Sequence, residues 1–278
     1  MEQVEVKCGK LTISNNNPFT LIAGPCQLEN ENHAIDVAKK LKEITDKLSI
    51  GLIYKTSFDK ANRTSLKGKR GAGLEKSLPV FDKIRKDLGI PVLTDIHNVE
   101  QCALVSKHVD VLQIPAFLCR QTDLLIAAAK TGKVINVKKG QFISPDEMKH
   151  VVHKLGESGC EDVMLTERGT FFGYNRLVND FIGLGDLMEI GPPVFFDVTH
   201  STQLPGGGTN QTAGRPDRAA LLARAATAAG VPALFLECHP DPINAASDAS
   251  TMQRLDDMEE IIRSCASISQ IASNTVMP

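Results

Sequence analysis

Apolar residues fall along this chain in short continuous runs, each followed by a stretch with helical spacing. The runs are Phe19–Ala23, Leu52–Tyr54, Pro91–Thr94, Val109–Ile114, Val134–Val137, Val163–Thr166, Val194–Val198 and Ala233–Glu237. They are rich in β-branched residues, the pattern of parallel strands buried on both faces. Helices are predicted over Ala34–Leu48, Leu74–Leu88, Val99–Val105, Asp123–Ala129, Pro145–Leu155, Leu177–Met188, Asp217–Ala229 and Met252–Ala272, with Pro145 suited to a first turn. Eight such units in 278 residues predict an α/β fold, a (β/α)8 TIM barrel, as one domain over 1–278. A doubly wound sheet would carry a glycine-rich turn after its first strand, and G-x-G-x-x-G is absent. Ahead of the barrel, Val4, Val6 and Leu11 flank a turn at Cys8-Gly9-Lys10, which predicts a short N-terminal β-hairpin within 1–14 that plugs or covers it. No Pro/Ser-rich linker, short repeat or low-complexity tract divides the chain.

In such a barrel the chemistry sits where strands end. Those ends are polar throughout: Gly24-Pro25-Cys26; Lys55 to Ser65; Asp95-Ile96-His97; Gln113 to Phe117; Asn136, Lys138 and Lys139; Glu167-Arg168-Gly169; Asp197, Thr199 and His200; Glu237-Cys238-His239, with Asp248 beyond. Buried lysines need anions to meet them. Lys55, Lys60, Arg63, Lys138 and Arg168 form a cationic group suited to a substrate bearing phosphate and carboxylate. Cys26, His200, Glu237 and Asp248 form a second group, a candidate site for a divalent transition metal that no spacing marks. Alternation along strand eight sends Cys238 away from Glu237 and leaves His239 as a competing ligand. Asp95 joins the catalytic candidates from the end of strand three, and Ala116 and Phe117 join the substrate-binding candidates from strand four.

Composition narrows the partners. With 42% apolar and 23% charged residues the chain is an ordinary globular protein. Its net charge of −2 gives no global field for nucleic acid or an anionic membrane, so any anion site is local. Seven scattered cysteines, odd in number and without a C-x-x-C pair, suit a reducing cytoplasm. The N-terminus carries two acids and no apolar core, unlike a signal peptide, and no apolar run reaches the roughly 18 residues of a membrane helix.

The motifs K-A-N-R-T-S (Lys60–Ser65), G-P-C (24–26), Q-I-P-A-F-L-C-R-Q-T-D (Gln113–Asp123), F-D-V-T-H (Phe196–His200), E-C-H-P-D-P (Glu237–Pro242) and S-D-A-S (Ser247–Ser250) resemble the 3-deoxy-D-manno-octulosonate 8-phosphate synthase family. The resemblance spans about residues 19–270. It implies condensation of phosphoenolpyruvate with D-arabinose 5-phosphate and water, releasing phosphate, for the lipopolysaccharide inner core. It also implies a barrel with an N-terminal hairpin and a homotetramer. Lys55, Ser57, Lys60, Gln113, Lys138 and Arg168 would then surround phosphoenolpyruvate. Asn62, Arg63 and Thr64 would take the sugar phosphate, with Arg63 reaching toward a neighbouring subunit. Cys26 stands where the metal-independent class has asparagine, and Ser247–Ser250 also resembles the metal class. The resemblance therefore implies a divalent ion (Zn²⁺, Fe²⁺, Mn²⁺ or Co²⁺) on Cys26, His200, Glu237 and Asp248, with His200 also relaying protons. No flavin, nicotinamide or pyridoxal fingerprint appears.

Two alternatives bracket this reading. One is the related synthase of aromatic biosynthesis that uses erythrose 4-phosphate, which typically reads K-P-R-T-S where this chain has Asn62. The other is a non-catalytic barrel that serves as a binding protein. Finally, the long loops Ser201–Pro216 and Asp241–Thr251 are candidate lids or binding segments, the first expected to close on substrate.

Overall fold

The computed structural model describes residues 2–16, 19–63, 66, 68–207 and 213–273. Its parallel strands are β1 (Thr20–Gly24), β2 (Gly51–Lys55), β3 (Val92–Asp95), β4 (Val111–Ile114), β5 (Val134–Lys138), β6 (Val163–Glu167), β7 (Val194–Asp197) and β8 (Ala233–His239). Each pairs with its neighbour in the chain. β8 pairs with both β7 and β1, Ala233 lying opposite Phe195 on one side and Thr20 on the other, which closes the barrel. The helices α1 (Glu31–Leu48), α2 (Leu74–Leu88), α3 (Val99–Val105), α4 (Thr122–Ala129), α5 (Met148–Glu157), α6 (Phe181–Met188), α7 (Ala219–Ala228) and α8 (Met258–Ser273) alternate with the strands. The predicted (β/α)8 fold is therefore the observed one.

Alternation along each strand explains where the core and the site lie. Outward residues such as Leu21, Leu52, Leu112, Ile135, Leu165 and Leu234 merge with the apolar helix faces into the main core. Inward residues form a second cluster of Ile22, Ile53, Leu93, Val111, Val134, Met164, Phe195, Ala233 and Phe235. Val6, Cys8 and Ile13 of the N-terminal hairpin (Val6–Cys8 paired with Leu11–Ile13) pack into that cluster and stopper the barrel from below. Two residues further along each strand, the same inward face becomes Gly24, Lys55, Asp95, Gln113, Asn136, Thr166, Asp197 and Glu237. One parity thus builds a dry floor and then a polar rim.

Element ends differ from the apolar pattern where polar groups set them. α1 starts early because the Asn30 side chain accepts from the His33 amide at 3.0 Å. α6 starts late because Asp180 caps it through the amides of Ile182 and Gly183. Pro145 lies in a hydrogen-bonded turn ahead of α5 rather than within its first turn, its carbonyl accepting from Met148. Met252 precedes a short strand, Gln253–Arg254, paired beside Cys238 and His239, so α8 begins only at Met258.

Candidate active site at the rim of the barrel

The polar rim opens into a cavity of about 630 Å³. Lys55 is almost fully buried, and its Nζ donates to Glu237 Oε1 at 2.6 Å and to the Cys26 carbonyl at 2.8 Å. Glu237 lies on β8, paired through Gly24 of β1. A Cβ on Gly24 would sit 2.0 Å from the Lys55 carbonyl oxygen, so only glycine lets these strands approach as they do. Burial alone would lower the Lys55 pKa, but Glu237, Cys26 and Asp95 hold it above its ordinary value. Lys60 donates to Asp248 Oδ2 at 2.5 Å and lies 3.2 Å from Cys26 Sγ. Lys138 donates to Asp197 Oδ2 at 2.6 Å and stands 3.7 Å over the Phe235 ring, a cation–π contact with the cavity floor.

Arg168 differs from these lysines. It is 4% exposed, its guanidinium donates to Gln203 Oε1 and to the His200 carbonyl, and among the described residues that guanidinium has no carboxylate within 4.0 Å, Glu167 meeting only the backbone amide of Arg168. Burial pulls its pKa down. A guanidinium is a five-donor fork suited to phosphate or carboxylate, so Arg168 is a cation awaiting an anion. Across the cavity, Gln113 Nε2 donates to Asp95 Oδ1 at 2.6 Å, and the Ser57 hydroxyl donates to Asp95 Oδ2. Burial would raise the Asp95 pKa, yet Lys55, His97 and Lys138 hold it well below the usual carboxylate range.

The second group of side chains meets on one wall. The ligand atoms of Cys26, Glu237 and Asp248 lie within 4.8 Å of one another. His200 Nε2 is 3.6 Å from Asp248 Oδ2 and 3.8 Å from Glu237 Oε2. Donors held at tetrahedral angles by bonds of about 2.0–2.3 Å lie about 3.3–3.7 Å apart. Cys26, Glu237 and Asp248 are gathered tightly enough to close on a divalent ion, whereas His200 approaches the two carboxylates but stands outside that three-residue group and would have to move in to complete it. Two further observations agree. Glu237 Oε2 is buried with no hydrogen-bond partner among the described residues. Burial, with Asp248 and Glu237 nearby, pushes the Cys26 thiol far above its ordinary pKa, and only added positive charge turns such a thiol into a thiolate.

His200 is aimed from behind. Asp197 ends β7 and caps the single turn Val198–Ser201, its Oδ1 accepting from the His200 amide at 2.9 Å. Its Oδ2 pairs with His200 Nδ1 at 2.7 Å, which turns Nε2 toward Glu237 and Asp248, where a neutral ring carrying its proton on Nδ1 would offer a lone pair to an ion. Burial would raise the Asp197 pKa, but His200, Lys138 and Arg168 hold it far below the carboxylate range.

The structure brings Lys55, Ser57, Lys60, Asn62, Asp95, Gln113, Ala116, Phe117, Lys138, Arg168, His200, Glu237 and Asp248 to the cavity wall. Cys26 is buried behind it, touching Lys60 and Asp248. Arg63 is partly buried and does not line the cavity, and Thr64 lies outside the described residues. The expectation of two chemically separate groups is corrected, because Lys55 bonds Glu237 and Lys60 bonds Asp248, so the carboxylates neutralise the lysines. Closing the barrel places β8 one strand from β2, an adjacency that spacing along the chain does not reveal. His239 leaves the competition: its Nδ1 accepts from the Asp241 amide, so its Nε2 carries the proton, 3.3 Å from Glu29. Cys238 packs into the helix-side core. In the long loop after His200, Gln203–Leu204 pairs with Ala213–Gly214, and residues 208–212 lie outside the described residues.

Asp197 stands in the sequence as one of the polar strand ends without a role of its own, and nothing there singles out Phe235. The role of Asp197 lies in its place as a capping residue three positions before His200; Phe235 reads as one more core aromatic.

A barrel whose rim pairs lysines with carboxylates beside an uncompensated guanidinium is that of an enzyme handling small anionic molecules. Residues 2–273 match the model of the DAHP synthetase I family, and the chain belongs to that family. It is 57% identical over 267 residues, 96% of each chain, to the 2-dehydro-3-deoxyphosphooctonate aldolase of Brucella ovis. The same figures hold for proteins of that name from Brucella melitensis biotype 2 and Brucella anthropi. The resemblance to octulosonate 8-phosphate synthases drawn from the motifs is borne out.

Proposed function

We infer that this cavity joins phosphoenolpyruvate to D-arabinose 5-phosphate and water, giving 3-deoxy-D-manno-octulosonate 8-phosphate and inorganic phosphate. The observation that carries the assignment of the site is Arg168, a buried guanidinium without a carboxylate, facing lysines whose carboxylate partners are already in place. Arg168, Lys60 and Lys138 receive the phosphate and carboxylate of phosphoenolpyruvate, with Lys55, Ser57 and Gln113 at its side. Asn62, Arg63 and Thr64 take the sugar phosphate at the mouth, near Ala116 and Phe117.

The enol carbon of phosphoenolpyruvate attacks the sugar aldehyde, whose oxygen takes a proton. Water adds to carbon 2 and loses a proton, and the resulting hemiketal phosphate releases phosphate by cleavage of its carbon–oxygen bond. Electrostatic preorganisation is this chain's main contribution: fixed ammonium and guanidinium groups hold two anionic reactants in attack geometry. Lys138, between Asp197 and the cavity, is placed to hand a proton to the aldehyde oxygen. Asp95, ionised and bonded to Gln113 and Ser57, holds those groups in place rather than moving a proton. Cys26, His200, Glu237 and Asp248 would hold a divalent ion (Zn²⁺, Fe²⁺, Mn²⁺ or Co²⁺), which would supply Lewis acidity toward the aldehyde or water when bound. A homotetramer in the cytoplasm completes the reading; the exposed Phe172 and Tyr174 in the loop that follows Arg168 support an interface between copies, and seven free cysteines support a reducing compartment.

Phosphate release, measured with arabinose 5-phosphate and with erythrose 4-phosphate, tests the sugar. A much larger kcat/KM for arabinose 5-phosphate is expected, and comparable values would overturn the assignment. Exhaustive chelation should abolish turnover, and added metal should restore it. Full activity in protein shown metal-free by elemental analysis would remove the ion from the mechanism.

A further inference from the structure

Asn136 lies on β5, two residues before Lys138, and is fully buried in the barrel interior away from the cavity wall. It is the middle of a chain of hydrogen bonds running around the barrel. Thr166 Oγ1 donates to Asn136 Oδ1 at 2.8 Å, and Asn136 Nδ2 donates to Gln113 Oε1 at 2.8 Å. Gln113 Nε2 then donates to Asp95 Oδ1 at 2.6 Å, and Ser57 reaches the other oxygen of that carboxylate.

An amide side chain has two orientations of similar shape, and its partners choose between them. Here the choice propagates from one end. Ionised Asp95 only accepts, so Gln113 must turn its nitrogen toward it and its oxygen toward Asn136. Asn136 must then offer its nitrogen to Gln113 and its oxygen to Thr166, whose hydroxyl donates. Every donor points toward Asp95, an order in which each bond polarises the next.

We propose that Asn136 is a positioning residue for the condensation, fixing the amide of Gln113, and through it Asp95, in the orientation that phosphoenolpyruvate meets. With the Gln113 amide reversed, its oxygen would face the Asp95 carboxylate. Asp95, 4.0 Å from Lys55, would then be driven from its place.

Asn136→Asp, which keeps the shape, is the decisive variant. When ionised, the introduced carboxylate only accepts and demands the nitrogen of Gln113, reversing that amide. When protonated, its O–H donates to Gln113 Oε1 while its carbonyl accepts from Thr166, restoring the original order. The charged groups on the strands around this position are Lys138 on β5 with Lys139 after it, Glu167 on β6 with Arg168 after it, Asp197 on β7, Glu237 on β8, Asp95 on β3 and Lys55 on β2, while β4 presents only neutral Gln113. Glu167 and Lys139 pair with each other at 3.4 Å on the outward face. The holoenzyme variant should show a KM for phosphoenolpyruvate raised roughly tenfold at about pH 8, the loss of one well-formed bond. That KM should return toward the wild-type value near about pH 6, where the buried carboxyl is protonated. The kcat should change less than KM, and calorimetric binding of phosphoenolpyruvate should follow the same pH course. A KM equal to wild type across this range, or a rise with no recovery at low pH, would overturn the proposal. If the Asn136→Asp variant does not fold at about pH 8 by thermal unfolding, Thr166→Val decides. It removes the terminal donor, which is buried and does not line the cavity, and should raise the same KM at unchanged kcat, whereas an unchanged KM would overturn the proposal. The inference rests on Gln113 facing phosphoenolpyruvate. A rise confined to the KM for arabinose 5-phosphate would support coupling between Asn136 and Gln113 while refuting that placement of Gln113.

Discussion

Replacing Asp197 with Asn tests how much of the metal wall depends on a residue that lies off it. The carboxylate is fully buried and accepts from the His200 amide, from His200 Nδ1 at 2.7 Å and from Lys138 Nζ at 2.6 Å. Asparagine fills the same space and can still cap the turn with its oxygen. Its nitrogen then faces two donors, and the least costly resolution is for His200 to move its proton to Nε2, with Nδ1 accepting. The nitrogen facing Glu237 and Asp248 thereby loses its lone pair. Loss of a partner behind a ligating histidine typically costs 10–100-fold in metal affinity, about 1.4–2.8 kcal/mol. Lys138 also loses its carboxylate in a buried setting, so metal-free Asp197→Asn should be destabilised by about 3 kcal/mol or more. Cobalt titration, followed through the thiolate-to-metal absorption band, reads the first effect, and urea unfolding of the metal-free protein reads the second. A cobalt dissociation constant within about twofold of wild type would show that Asp197 does not set the His200 tautomer.

Three further outcomes follow from the same geometry. Arg168→Met should raise KM for phosphoenolpyruvate about 10–100-fold, the cost of losing charge-assisted hydrogen bonds, while Tm stays equal or rises because an uncompensated buried cation is gone; a fall of several degrees would mean that Arg168 is structural. Without metal, Cys26 is a thiol held above its usual pKa, so it stays protonated through neutrality and metal binding must expel its proton; apparent cobalt affinity should climb about tenfold per pH unit between about pH 6 and 8, and a flat profile would exclude thiolate ligation. Phe235→Ala should cost about 3–5 kcal/mol by urea unfolding, since the ring is fully buried in the inner cluster, and should weaken phosphoenolpyruvate binding through Lys138, which stands on it; unchanged binding would make the ring a packing residue only.

The repeating strands were legible because each is buried on both faces and therefore reads as an uninterrupted apolar run. Their polar ends were legible for the same reason, since Lys55 or Glu237 directly after such a run has no other interpretation than a rim. What the linear pattern does not carry is adjacency. Lys55 and Glu237 are 182 positions apart and meet only because β8 returns to β1 beside a side-chain-free Gly24. The uncompensated state of Arg168 is likewise invisible in a sequence with Glu167 next to it, because alternation turns that carboxylate outward to Lys139 at 3.4 Å. Helix starts failed where a polar cap or a short strand preceded the periodic residues, as at Asp180 and Met252, since apolar spacing registers packing and not the hydrogen bonds that begin a helix.

The hairpin that stoppers the barrel from below has a kinetic meaning. With Val6, Cys8 and Ile13 packed against the inner cluster, side chains fill the lower end of the barrel, and among the described residues the cavity is reached from the rim. Buried Lys138 and Arg168 lie within the barrel, while exposed Asn62 and half-exposed Phe117 stand at the opening. A molecule seated on the mouth residues therefore blocks the route to the deeper ones. On the placement proposed above, arrival and departure would form a queue: the ligand of the inner cations first, the ligand of the rim second, with nothing held at the bottom escaping until the top has cleared.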